Sequence, residues 1–154
     1  MTANLQALWA VHEPQMDELT IPFLGPERAG WQYPFADLLA AGARLCAGSD
    51  WPVSSADPLQ AMHVAVNRQP PGEPDTEPLL PGQRLTAADF LHAYTAGSAW
   101  INGSDAGVLE VGRPADLAVL DADPLAVPAD RIGDVSVTAT FVGGVQVAGG
   151  DSEA

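Results

Sequence analysis

A short run from Arg44 to Ala47, apolar after its arginine, stops at Gly48 and hands on to Ser49-Asp50-Trp51-Pro52-Val53. No other stretch constrains the fold as tightly. A buried strand that ends in glycine must turn at the rim of its sheet, where the next side chains face solvent or a bound molecule. In α/β barrels the C-terminal strand ends carry the chemistry, so position alone makes Asp50 a catalytic candidate. The same pattern also fits a plainer role, an aspartate that only caps the turn.

The flanking sequence supplies the rest of a β-α-β unit. Residues Asn4 to Val11, with Leu5, Leu8, Trp9 and Val11, read as a parallel strand buried on both faces. Tyr33-Pro34 opens a helix with proline at its first position. Phe35, Leu38 and Leu39 share one face of it, and Gly42 stops it. The crossover to Arg44–Ala47 is expected to be right-handed. Two neighbouring strands of this kind leave an unpaired edge on each side.

Downstream, Asp57-Pro58 reads as an N-cap followed by a first-turn proline, starting a helix to about Arg68. Leu59, Met62 and Val66 form its buried stripe. Residues Gln69 to Gly82 are rich in proline and acid without periodicity, and read as a surface connection in preference to a substrate lid. Thr86 and Asp89 form a capping-box pattern for a helix whose apolar face is Ala87, Phe90, Leu91 and Tyr94. Past Gly107 the period shifts towards two. Asp116–Leu120 and Val135–Val142 read as strands, and Gly143-Gly144 before Val145-Gln146-Val147 reads as a tight hairpin.

Size and charge narrow the function classes. A chain of 154 residues with 47% hydrophobic content can bury one domain's core. A complete (β/α)₈ barrel takes roughly 250 residues, so this chain cannot close one alone. The formal net charge of −14 repels phosphate backbones and anionic lipid, which sets nucleic acid and membrane partners aside. All six basic residues are arginine, and the one cysteine, Cys46, excludes an internal disulfide. With no apolar stretch of about 18 residues and no basic-then-apolar start, the chain reads as soluble and cytoplasmic.

Two motifs in order then point to a family. The stretch Gly107-Val108-Leu109-Glu110-Val111-Gly112-Arg113-Pro114-Ala115-Asp116-Leu117-Ala118-Val119-Leu120-Asp121-Ala122-Asp123-Pro124 resembles the C-terminal signature of the amidohydrolase superfamily. The Gly-Ser-Asp-Trp-Pro-Val run resembles the end of that family's eighth barrel strand, and amidohydrolase family 3 is the nearest branch. Gly25-Pro26-Glu27-Arg28, Leu85-Thr86 and Tyr94-Thr95 add smaller matches, so the resemblance spans about Asn4 to Val147. It implies an α/β fold, the C-terminal fragment of a (β/α)₈ barrel plus part of its small β-sandwich. Residues 1–106 would form the last barrel strands and helices, and residues 107–154 the sandwich strands. In the family those strands join others from the far N-terminus, which this chain does not contain. Met1 falls where the family's seventh strand begins, which implies a truncated reading frame or an internal start.

The resemblance also assigns roles. It makes Asp50 the residue that binds or faces a divalent metal, takes a proton from the metal-bound water and gives it to the leaving amine. A metal lowers the pKa of bound water towards about 7, which lets a nearby carboxylate act as the shuttle. Ser49 and Trp51 shape the turn and the pocket wall, with Trp51 a substrate-binding candidate. Arg28, beside glycine in a loop before the helix, is a second: it either clamps a substrate carboxylate bidentately or forms a salt bridge that orders the loop. Asp116 reads as structural.

The metal, zinc in the complete enzyme, needs typically three protein ligands. The family draws them from a His-x-His pair, further histidines and often a modified lysine. This chain has three histidines, none in such a pair, and no lysine. His63 and His92 fall on predicted outer helices, and His12 alone follows a strand near Asp50. One aspartate with one histidine does not hold zinc, so no metal is expected to bind stably to this chain alone. The resulting expectation is a C–N bond hydrolase of the amide type with a small-molecule substrate, represented by its C-terminal part and inactive by itself. The alternative is a non-catalytic module, or a decayed remnant, that binds a partner chain. Association through the open sheet edges is expected in either case.

Overall fold

The computed structural model describes residues 1–149. Its architecture is mixed α/β: a parallel two-stranded pair and an antiparallel three-stranded sheet, joined by helices. The last residues of the predicted second unit, 150–154, lie outside the described residues.

The parallel pair joins β1 (Thr2–Leu5) to β2 (Arg44–Ala47) in the register Thr2↔Arg44 to Leu5↔Ala47. The second strand has the predicted bounds. The first is shorter than its apolar run: after Leu5 the chain tightens into a 3₁₀ turn at Ala7–Trp9. Small residues explain the difference. Ala7 and Ala10 are fully buried, which lets the turn sit directly on the core, and an apolar run is equally compatible with a strand or a buried turn.

The crossover holds three helices where one was predicted. These are α1 (Pro14–Leu19), α2 (Ile21–Ala29), kinked at Gly25, and α3 (Phe35–Ala40). Proline occupies the first turn of both α1 and α2, where its missing N–H costs nothing. Helix α3 begins one residue after Pro34 and buries Phe35, whereas Leu39 turns outward to solvent, against the predicted shared face. Gly42, at φ +78°, ends it in the left-handed conformation that side-chain-bearing residues avoid.

Helix α4 (Pro58–Asn67) is the hub. The Asp57 carboxylate accepts from the Leu59 N–H at 2.8 Å, and Pro58 starts the helix. Leu59, Ala61, Met62, Val64 and Ala65 are buried against the Ala7–Trp9 turn, α5 (Ala87–His92) and the 3₁₀ segment Ala129–Asp134. Each large apolar side chain so buried contributes about 1.5–3 kcal/mol before chain entropy is counted. Half of the predicted capping box is present at α5: Asp89 N–H donates to Thr86 Oγ1 at 3.1 Å, while the Asp89 carboxylate accepts from the Thr86 hydroxyl at 2.6 Å and not from the Thr86 backbone. After α5 the helix widens into a π-helical turn, Ala93–Gly97, and resumes as α6 (Ser98–Ile101).

The second sheet runs β3 (Leu117–Leu120), β4 (Val137–Val142), β5 (Val145–Gly149). Gly143-Gly144 makes the predicted two-residue hairpin, both at positive φ. Ile132 and Val135, in the connection before β4, belong to the same buried core as α4.

Candidate active site

Two parallel strands place their C-terminal ends side by side, and the candidate site lies there. Gln6 follows β1 directly, and Asp50 follows β2 after Gly48 and Ser49. With Trp9 and Tyr33 they line one open concavity. Sequence reasoning picked out Asp50 and missed the other three. The signal lies in the register, which the sequence does not give: with Leu5 opposite Ala47, Gln6 falls beside the start of the Gly48–Val53 turn.

Asp50 is solvent-exposed at φ +57°. Aspartate is among the few side-chain-bearing residues that adopt this left-handed conformation readily. The turn is closed by Val53 N–H donating to Asp50 O at 2.9 Å and Trp51 N–H donating to Ser49 Oγ at 3.2 Å. Ser54 donates its hydroxyl to Ser49 O, and the Trp51–Pro52 peptide is cis. The carboxylate is therefore carried on a turn with several internal ties.

Tyr33 is held from behind by the most buried charge among the described residues. Arg68, fully buried, donates to Leu79 O at 2.7 Å, Tyr33 O at 3.2 Å and Gln32 O at 3.4 Å, with its guanidinium 5.1 Å from the Phe35 ring. Burial pushes the guanidinium down to about 10, the Arg84 charge adding to this and Tyr33 opposing it, so it stays protonated at neutral pH. The Tyr33 phenol is pushed up by burial and by Glu13, with Arg68 pulling the other way. It stays a neutral hydroxyl, able to donate or accept. The indole Nε1 of Trp9 is buried and has no partner among the described residues.

The other sequence candidates fall elsewhere. Arg28 lies inside α2, in its last turn, and not in a loop before a helix; Gly25, at φ +75°, kinks the helix without ending it. Its side chain is exposed and forms no ion pair among the described residues. Trp51 is next to Asp50 but 69% exposed, outside the residues that line the concavity. Asp116 accepts from Gly143 N–H at 2.8 Å and ties the β4–β5 hairpin to the start of β3.

The histidines are dispersed. His12 Nδ1 sits 2.7 Å from Asp17 Oδ1. His63 is buried in α4, and His92 is exposed at the end of α5. No group of three or more His, Cys, Asp or Glu side chains among the described residues has the geometry to hold a metal ion. The donor set described here does not fit a metal centre, since the three histidines lie apart, His12 beside Asp17 ahead of α1, His63 in α4 and His92 at the end of α5, and none lines the concavity with Asp50.

No helix among the described residues is long and apolar enough to cross a membrane. Residues 2–148 match the profile of the amidohydrolase family. The chain is 34% identical over 115 residues to the N-substituted formamide deformylase of Arthrobacter pascens, covering 73% of this chain and 21% of that protein. It is 36% identical over 127 residues to protein LONG AFTER FAR-RED 3 of Arabidopsis thaliana, covering 80% and 21%. Its fold superposes on the crystal structure of an uncharacterized metal-dependent hydrolase from Pyrococcus horikoshii with a TM-score of 0.69 at 34% identity, covering 84% of this chain and 26% of that one. The chain thus spans about a fifth of the length of the curated relatives it matches.

Proposed function

From a chain that belongs to the amidohydrolase family, we propose a part in C–N bond hydrolysis of the amide type, with Asp50 as the group that moves the proton. Water adds to the acyl carbon as Asp50 accepts its proton; the C–N bond then breaks as the protonated Asp50 returns that proton to the departing nitrogen. The products are a carboxylic acid and an amine, so atoms and charge balance. General acid–base transfer of this kind is worth typically 10²–10⁴-fold in rate.

One observation carries the reading: Asp50 stands at the C-terminal end of β2, in one concavity with Gln6, Trp9 and Tyr33 from the neighbouring strand end and the crossover. Residues 1–106 are read as the end of a barrel and residues 107–154 as strands of an accessory sandwich. The substrate class follows the formamide deformylase, a small N-substituted amide. Zinc is the ion we propose for the complete enzyme. The donors described here do not assemble its site, and the chain alone is therefore proposed to be inactive. The test is amine release from an N-substituted formamide, followed by chromatography, for this chain alone and within a full-length family protein. Turnover by the isolated chain would refute the proposed division of labour; no turnover by the full-length protein would refute the substrate class.

A further inference from the structure

The edge of β2 that faces away from β1 is occupied by a turn. Arg44 N–H donates to Met1 O and Gly48 N–H to Leu5 O, so the alternating backbone directs Leu45 and Ala47 to the opposite edge. There the single Ser98 hydroxyl proton is shared between Ala47 O at 2.7 Å and Ala93 O, in its own helix, at 3.0 Å, and the hydroxyl oxygen accepts from Ala47 N–H at 3.3 Å. One side chain thus serves both backbone groups of Ala47, as a neighbouring strand would. A hydroxyl can do this because it is donor and acceptor at once.

The residue before it completes the contact. Gly97 packs so closely on Leu45 that an added Cβ would lie 2.2 Å from the Leu45 carbonyl oxygen. Both residues reach the strand because the helix widens into a π-helical turn over Ala93–Gly97, an irregularity often found beside functional sites. The same turn presents Tyr94. Its phenol is pushed up by burial, while the Ser49 hydroxyl beside it acts in the opposite direction. Contacts from this turn and from Ser98, the first residue of α6, therefore fall on Leu45 and Ala47, alternate residues that lead up to Asp50.

We propose that Ser98 is a positioning residue: with Gly97 it locks the outer edge of β2 and thereby fixes the turn that presents Asp50. The catalytic meaning of this lock rests on the role proposed for Asp50; the lock itself does not. Leu45 and Ala47 are buried, so an Ala47 amide and carbonyl left unpaired are costly, and the strand end must move to find other partners.

The experiment is amide hydrogen exchange on the 154-residue chain in a graded series. Ser98→Thr keeps the hydroxyl, Ser98→Cys weakens it and Ser98→Ala removes it. Exchange at residues 47–53 should accelerate about tenfold or more in Ser98→Ala, less in Ser98→Cys, and stay near the parent in Ser98→Thr. Exchange at Met62–Ala65 in α4 should not change. If Ser98→Ala fails to fold, the Cys and Thr variants still give the ordering. A flat series, or acceleration shared equally by α4, overturns the proposal. Asp50→Asn run alongside should leave exchange at Ala47 unaltered, so loss of the Asp50 role through kinetics would not be mistaken for loss of the lock.

Discussion

Gly97 lies against Leu45 with no room for a methyl group, since an added Cβ would meet the Leu45 carbonyl oxygen at 2.2 Å and the Cys46 Cα at 3.2 Å. The obstruction is backbone, which cannot rotate away as a flexible side chain would. Gly97→Ala should therefore cost about 1–3 kcal/mol in urea unfolding, although alanine is the better helix former. Gly82, with no atom within 4 Å of an added Cβ, is the control and should tolerate alanine. Equal midpoints for the two variants would contradict the packing of the π-helical turn on β2.

Arg68 ties the end of α4 to three backbone carbonyls, at Leu79, Tyr33 and Gln32. Arg68→Met keeps most of the stem but leaves those carbonyls unserved, and should destabilise by at least about 3 kcal/mol. Arg68→Lys supplies a single point donor in place of a fork and should fall between the two. Urea midpoints measure both. A loss too small to resolve in Arg68→Met would mean that the buried fork is not what holds the Tyr33 loop.

Sequence alone was strongest where one residue type admits one conformation. The Gly48 stop fixed the end of β2, Asp57-Pro58 the start of α4, Thr86 and Asp89 the start of α5, and Gly143-Gly144 the hairpin. It failed where composition is ambiguous. Helices α1 and α2 carry Leu19 and Phe23 on the surface, so no apolar stripe announces them. Arg68 went unmarked because arginine is ordinarily a surface residue, and its burial depends on carbonyls from loops distant in sequence. In the candidate site Asp50 was legible from its strand end. Gln6, Trp9 and Tyr33 became visible only once the register of β1 on β2 was known.

His63 supplies a pH dependence with a definite sign. It is buried in α4, its Nδ1 has no partner among the described residues, and burial lowers its pKa while Asp134 and Asp130 pull the other way. The unfolded chain takes up the proton near pH 6.5, before the folded chain does. Stability from the neutral ring is thus complete above about pH 6.5 and declines as pH falls from there through the folded pKa. Urea midpoints of His63→Phe against the parent across pH 5–8 isolate this contribution from that of the carboxylates. The gap between the two should change on acidification in favour of the variant; a constant gap would show that His63 carries no linked proton.

The central claim is that Asp50 moves the proton in a C–N bond hydrolysis, and a graft tests it most directly. This chain would replace the segment it matches in the Arthrobacter pascens N-substituted formamide deformylase, and kcat for amine release would be measured with Asp50 and with Asp50→Asn. Asparagine also adopts the left-handed conformation required at φ +57° and keeps the shape of the side chain. The account predicts an unchanged melting temperature and a kcat at least about a hundredfold lower. A kcat close to that of the unsubstituted graft would contradict it and leave Asp50 as a residue that only shapes the turn.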